Sequence, residues 1–90
     1  MPTDIYSIAK RVKLFLPKVP DDVLMELTRH ATLYYCRSIP NFNGNAIDEF
    51  SVMHFLVMLP KLKTRDPEHA AIYTLISRFD TRVPLPSPRR

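Results

Sequence analysis

The chain carries nine prolines and a single glycine, and the prolines are not scattered. Pro17 and Pro20, then Pro40, then Pro60 and Pro67 fall between long runs that lack proline, while Pro84, Pro86 and Pro88 crowd the last residues. Proline fixes φ and removes a backbone N–H, so it stops a helix from within yet fits its first turn. Glycine is what lets tight hairpins take positive φ, and one glycine cannot supply the turns of a β-meander. This punctuation predicts an all-α domain.

The runs between the prolines carry helical periodicity. From Asp4 to Leu16, the residues Ile5, Ile8, Ala9, Val12, Phe15 and Leu16 recur at the spacing of one helical face, with Thr3 as cap and Pro17 as stop. A second helix is expected over 20–38, with Pro20 in its first turn and Asp21 and Asp22 at the positive end of its dipole. It faces Leu24, Leu27, Ala31, Tyr34 and Tyr35 inward and Glu26, Arg29, His30 and Arg37 outward. A third helix is expected over 46–59, capped by Asn45 with Asp48 as its reciprocal partner and stopped by Pro60. A fourth is expected over 67–80, with Asp66 as cap, Pro67 as first residue and Ile72, Leu75, Ile76 and Phe79 inside. The sequence thus reads as a single-domain bundle of about four helices covering residues 1–82, followed by an extended, basic, Pro-rich tail over 83–90.

The stretch Asn41-Phe-Asn-Gly-Asn-Ala-Ile-Asp-Glu-Phe50 has the composition of a calcium loop but not its order. An EF-hand loop needs oxygen ligands at its first and twelfth positions and glycine at its sixth. With Gly44 sixth, those ends become Ile39 and Phe50; with Glu49 twelfth, the sixth position becomes Asn43. Neither register holds a cation, and the stretch reads as a helix start with Gly44 as its flexible joint.

Other chemistries find little footing. Cys36 has no second cysteine for a zinc spacing or disulfide, and reads as a small core or half-buried residue. His30, His54 and His69 are not paired at i and i+4. Asp48 and Glu49 point to different sides of a helix, so no acid–base pair forms from sequence neighbours. The expectation is a non-enzymatic protein with no catalytic residues, no metal site and no cofactor. A lone cysteine and the absence of an Asn-x-Ser/Thr sequon point to an intracellular, reducing compartment. No apolar run approaches the roughly 20 residues of a spanning helix.

Two functional readings remain. Helix 3 is apolar nearly all round from Val52 onward, offering more large side chains than one face can bury. The first reading is a protein–protein interaction module, self-associating or a small structural or accessory subunit, with Phe50, Met53, Phe55, Leu56, Met58 and Leu59 at the interface. Thirteen Lys and Arg against nine Asp and Glu give a formal charge of +4. The second reading is therefore a basic helical protein contacting nucleic-acid phosphates, without regard to sequence, through Lys10, Arg11, Lys13, Lys61, Lys63 and Arg65.

Overall fold

A computed structural model describes residues 4–79, apart from the side chain at position 45, and it contains four α-helices with no strand among them. The helices are α1 (Ile5–Val12), α2 (Asp21–Ser38), α3 (Glu49–Leu62) and α4 (Pro67–Ile76), with a short 3₁₀ turn at Gly44–Ala46. α2 and α3 pack together as the central pair, each also contacting α1 and α4, while α1 and α4 share no contact. No helix among the described residues is long and apolar enough to cross a membrane. The expected tail over 83–90, the boundary at 82 and the expected cap Thr3 lie outside the described residues.

α1 is shorter than its periodicity implies. Asp4 is its cap, with one carboxylate oxygen accepting from the Tyr6 N–H at 3.1 Å and the other from the Ser7 hydroxyl at 2.7 Å. The helix ends at Val12, not Leu16; Pro17 keeps Leu16 out of helical geometry but does not account for the departure from the α-helix at Lys13 to Phe15. The chain tightens instead, with Leu14 N–H donating to Arg11 O and Phe15 N–H to Val12 O. The inward pattern survives this tightening: Ile8, Ala9, Val12 and Leu16 are all buried. Lys13 then ties down the connection, its ammonium 2.7 Å from the Val19 carbonyl and 3.3 Å from Asp21.

α2 begins one residue after Pro20, as the dipole argument requires. Its buried Thr28 satisfies its hydroxyl on the Leu24 carbonyl at 2.8 Å. Beyond Ser38 and Pro40, Asn41 takes φ 61°, and it is the one described non-glycine residue in the left-handed region. Asparagine tolerates that region better than residues with bulkier or branched side chains. Gly44 has no positive φ, so the flexible joint expected there is in fact supplied by Asn41. A Cβ on Gly44 would meet the Cys36 sulfur at 3.8 Å, an ordinary contact.

The start of α3 corrects the sequence reading by one turn. Its cap is Asp48, which accepts from the Ser51 N–H at 2.8 Å and the Ser51 hydroxyl at 3.0 Å, and not Asn45. Residues 44–46 are used instead in the 3₁₀ turn, which delivers Ile47 into the core at 4% exposure. Ile47 precedes the cap and Val52 is the fourth helical residue, the two positions of a hydrophobic staple, and both are buried in one cluster. A helix capped at Asn45 would put Gly44 and Glu49 in those positions, and neither can close an apolar contact.

The end of α3 is corrected too. The helix passes through Pro60 and runs to Leu62, which costs the N–H that would reach the Leu56 carbonyl but seats Leu59 and Leu62 in the core. α4 starts at Pro67 as expected, with the Asp66 carboxylate accepting from Glu68 N–H at 2.8 Å. It ends at Ile76, short of residue 80, in a tightened turn in which Phe79 N–H donates to Ile76 O.

Replacing Asp48 with alanine removes the cap of the most apolar helix and lowers unfolding stability by about 1 kcal/mol, read by urea titration. Gly44→Ala raises stability by about 0.5 kcal/mol through the unfolded chain, whereas Asn41→Val lowers it by about 1 kcal/mol or more at the left-handed position. Equal effects at the two loop positions would contradict the assignment of the joint to Asn41.

Candidate protein interface

Of the six apolar residues expected at an interface, three are inside this chain's own core. Met53, Phe55 and Leu59 are at most 5% exposed, because α1, α2 and α4 all pack on α3. Leu56 and Met58 are half-buried against that core, and Phe50 stands open at 64% exposure. The outward side of α3 is a stripe: Phe50, His54, Val57 and Lys61 are all exposed. At about 100° per residue these four fall within roughly 60° of one another. Val57, 54% exposed, was not among the residues expected at an interface, since a helix apolar all round does not reveal which side its neighbours leave uncovered.

At its N-terminal end this stripe runs into a groove between the last turn of α2 and the first turns of α3. Tyr35, Ile39, Phe42, Asp48, Phe50, Ser51 and His54 line it, enclosing about 450 Å³ that is broadly open to solvent. Its walls are aromatic: Phe42 stacks on Tyr35 with ring centres 5.9 Å apart, and Phe15 meets Phe50 edge-on at 6.0 Å. Its floor is polar. The Tyr35 hydroxyl lies 3.1 Å from the Ser51 carbonyl and 3.1 Å from His54 Nδ1. Burial, with Tyr34 and Asp48 adding to it, pushes the Tyr35 phenol above its ordinary value, so the hydroxyl keeps its proton. With that one proton donated to the Ser51 carbonyl, the contact to His54 is made when the imidazole carries a hydrogen on Nδ1.

A second recess, of about 190 Å³, is lined by His30, Tyr34, Arg37, Glu68 and His69 with Leu33, Ser38 and Asp66 at its rim. His69 packs edge-on to Tyr34 and Phe55, and its Nδ1 is buried without a hydrogen-bond partner among the described residues. Arg37 reaches Glu68 at 3.5 Å. Burial, then the charge of Arg29, lowers the His30 pKa against smaller opposite pulls from Glu26 and Glu68. Among the described residues no group of three or more His, Cys, Asp or Glu could hold a metal ion. Cys36, expected to be half-buried or core, is an exposed free thiol, on the opposite side of the last turn of α2 from the inward-packed Tyr34.

The basic residues are divided. Arg11 is bonded to Glu49 at 2.8 Å, at the first residue of α3, and its guanidinium holds the Glu49 carboxyl below the usual range. Lys61 and Lys63 lie at the other end of that helix, twelve or more residues away, a separation of about 18 Å. Lys10 lies over the Tyr6 ring and Lys63 over the Tyr73 ring, while Lys13 is held by Val19 and Asp21. Lys61 and Arg65 are exposed. Arg11 and Lys61 thus stand toward opposite ends of α3. Comparison with protein-family models, with curated proteins and with solved structures returns no match.

The His30 shift fixes the sign of a pH effect. Its folded pKa lies below the 6.5 of an unfolded chain, so over that window the unfolded state binds more protons. Stability contributed by neutral His30 is present above 6.5 and is lost as pH falls through the folded value. Urea midpoints measured from about pH 7.5 down to about 5.5 should fall in the wild type and fall less in His30→Gln.

Proposed function

We propose that the chain is a non-enzymatic α-helical interaction module that binds another protein surface, self-associating or serving as a small subunit of a larger assembly, through the outer stripe of α3 and the aromatic groove beside it. The observation that carries this reading is the exposure of Phe50 and Val57 on one stripe, with 42%-exposed Ile39 across the groove. Single exposed apolar residues are normal on any protein, but a contiguous run edged by polar groups marks an interaction surface. Aromatic residues near the centre of such a surface carry most binding energy, and Tyr35, Phe42 and Phe50 are so placed.

The phosphate-binding reading through Lys10, Arg11, Lys13, Lys61, Lys63 and Arg65 has less support. Four of these six cations, Lys10, Arg11, Lys13 and Lys63, are engaged with protein groups, and Glu49, the partner of Arg11, stands about 18 Å from Lys61 along α3.

Val57→Asp tests the proposal without touching the core. The immobilised wild-type chain should retain from a cell extract, or from a solution of itself, a protein that the variant loses by about tenfold or more, measured by quantitative mass spectrometry. A chain that stays monomeric and captures nothing sensitive to Val57→Asp overturns the reading.

A further inference from the structure

The aromatic groove beside α3 is poor in charge, and that restricts what it fits. Asp48 is the only acidic or basic side chain other than His54 among the described residues lining it. The charges nearby are of both signs and already engaged: Arg11 is on Glu49, Lys13 lies 3.3 Å from Asp21, and Lys10 lies over the Tyr6 ring. No single sign of charge surrounds the groove, so Tyr35, Ile39, Phe42 and Phe50 suit an apolar, uncharged occupant. The chain itself carries one. Val83-Pro-Leu-Pro-Ser-Pro88 is six residues without a charge, and it lies outside the described residues. We infer that residues 83–88 dock in this groove on their own chain, with Leu85 and Pro86 against Tyr35 and Phe42. The inference rests on the reading of the groove as a binding surface and names what fills it first.

Proline at every second position suits such a surface. Proline-rich chain favours the polyproline II helix, which is preformed and therefore loses little entropy when an aromatic-lined groove holds it. Its prolines also bring no N–H to strand against apolar walls. Three residues make a turn of that helix, so Leu85 and Pro88 share one edge and Pro86 lies on the next. Those two edges present one leucine and two prolines to a groove whose Tyr35 and Phe42 rings stack with centres 5.9 Å apart. Concentration decides between this segment and a free partner of the same chemistry. An open groove of about 450 Å³ has few anchors, and a ligand held with a Kd of about 1 mM fills little of it at micromolar concentration. A tethered segment meets the groove at an effective concentration on the order of 1 mM however dilute the chain is. Reach agrees. Glu68, at the start of α4, lies 3.5 Å from Arg37 in the last turn of α2, the turn that also supplies Tyr35 to the groove. Phe79 comes eleven residues after Glu68, about 16–18 Å along the axis, and a helix is about 10 Å across. Residues 84–88 follow Phe79 by five to nine positions, and at about 3.3 Å each they extend about 16–30 Å from it, which spans the distance to the groove.

Solution NMR of the full chain, labelled with ¹³C and ¹⁵N, reads the contact directly. Nuclear Overhauser effects should link the Leu85 methyls and the Pro86 ring to the rings of Tyr35 and Phe42, with the Leu85 methyls shifted upfield by the ring currents. Leu85→Asp should abolish these links and move the Tyr35 and Phe42 ring resonances, with the helical circular-dichroism spectrum unchanged. Adding a peptide of residues 83–90 to that variant should restore the wild-type ring resonances only at about 1 mM. In an equal mixture of labelled and unlabelled chains, isotope-filtered spectra should show no such links between chains, and the wild-type shifts should stay constant on dilution from about 1 mM to about 20 µM. Absence of the links, ring resonances indifferent to Leu85→Asp, or links that form only between chains overturns the inference. A chain without the links that still captures another protein in a Val57-dependent way would remove this occupant alone and leave the interface reading standing.

Discussion

Phe55 has no exposed surface, and its ring centre lies 5.5 Å from that of Tyr34 and 5.9 Å from that of His69. One side chain of α3 thus joins α2 and α4 at once. Because α1 and α4 do not touch, every contact that keeps the four helices together passes through α2 or α3. Truncating a buried phenylalanine costs about 3–5 kcal/mol, a large share of what a domain of this size has in total. The tolerance of Pro60 inside α3 follows from the same dependence. The Leu56 carbonyl would lack a helical donor from Pro60 even if the helix stopped at residue 59, whereas continuing lets Lys63 N–H donate to Leu59 O at 2.9 Å and seats Leu62 in the core.

Much of this architecture can be read from local chemistry. Pro20 and Pro67 open helices because their missing N–H groups fall where no intrahelical partner exists, and Asp66 caps α4 because its side chain needs nothing beyond the next two residues. The errors lie where two local signals compete. Asn45 and Asp48 are both good caps, and propensity does not rank them; the staple of Ile47 and Val52 does, and it is itself written in the sequence. The restriction that Pro17 places on Leu16 makes an end before residue 16 legible, but not the end at Val12. What the sequence cannot show is which side of α3 stays open. Val57 and Phe55 are two residues apart and equally apolar, yet one is 54% exposed and the other not at all. Only the placement of α1, α2 and α4 separates them.

Charge follows the same division between local and global. The sequence places Lys10, Arg11 and Lys13 near one another, and the structure keeps them so, but it spends Arg11 on the first residue of α3 and Lys13 on the α1–α2 connection. A formal charge of +4 is then a property of the whole surface more than of a patch. Exposed ion pairs such as Arg11–Glu49 contribute little to stability, about 0–1 kcal/mol, so their effect is on orientation. This one holds the C-terminal end of α1 over the start of α3, where Phe15 meets Phe50, and so shapes one wall of the groove.

The Tyr35–Ser51–His54 hydrogen bonds bear on binding in a way that burial alone does not. A surface histidine ordinarily samples several rotamers, and ordering such a side chain on association costs about 0.5–1.5 kcal/mol. Here the ring is already restrained by a phenol that α2 holds in place, and that phenol is restrained by a backbone carbonyl of the same helix that carries the histidine. Phe42 is fixed against Tyr35 in turn. The stripe and groove therefore present a surface whose aromatic and imidazole groups are largely set before a partner arrives. Less of the apolar gain from covering Phe50 and Val57 is lost to ordering, so a modest area can support a specific contact.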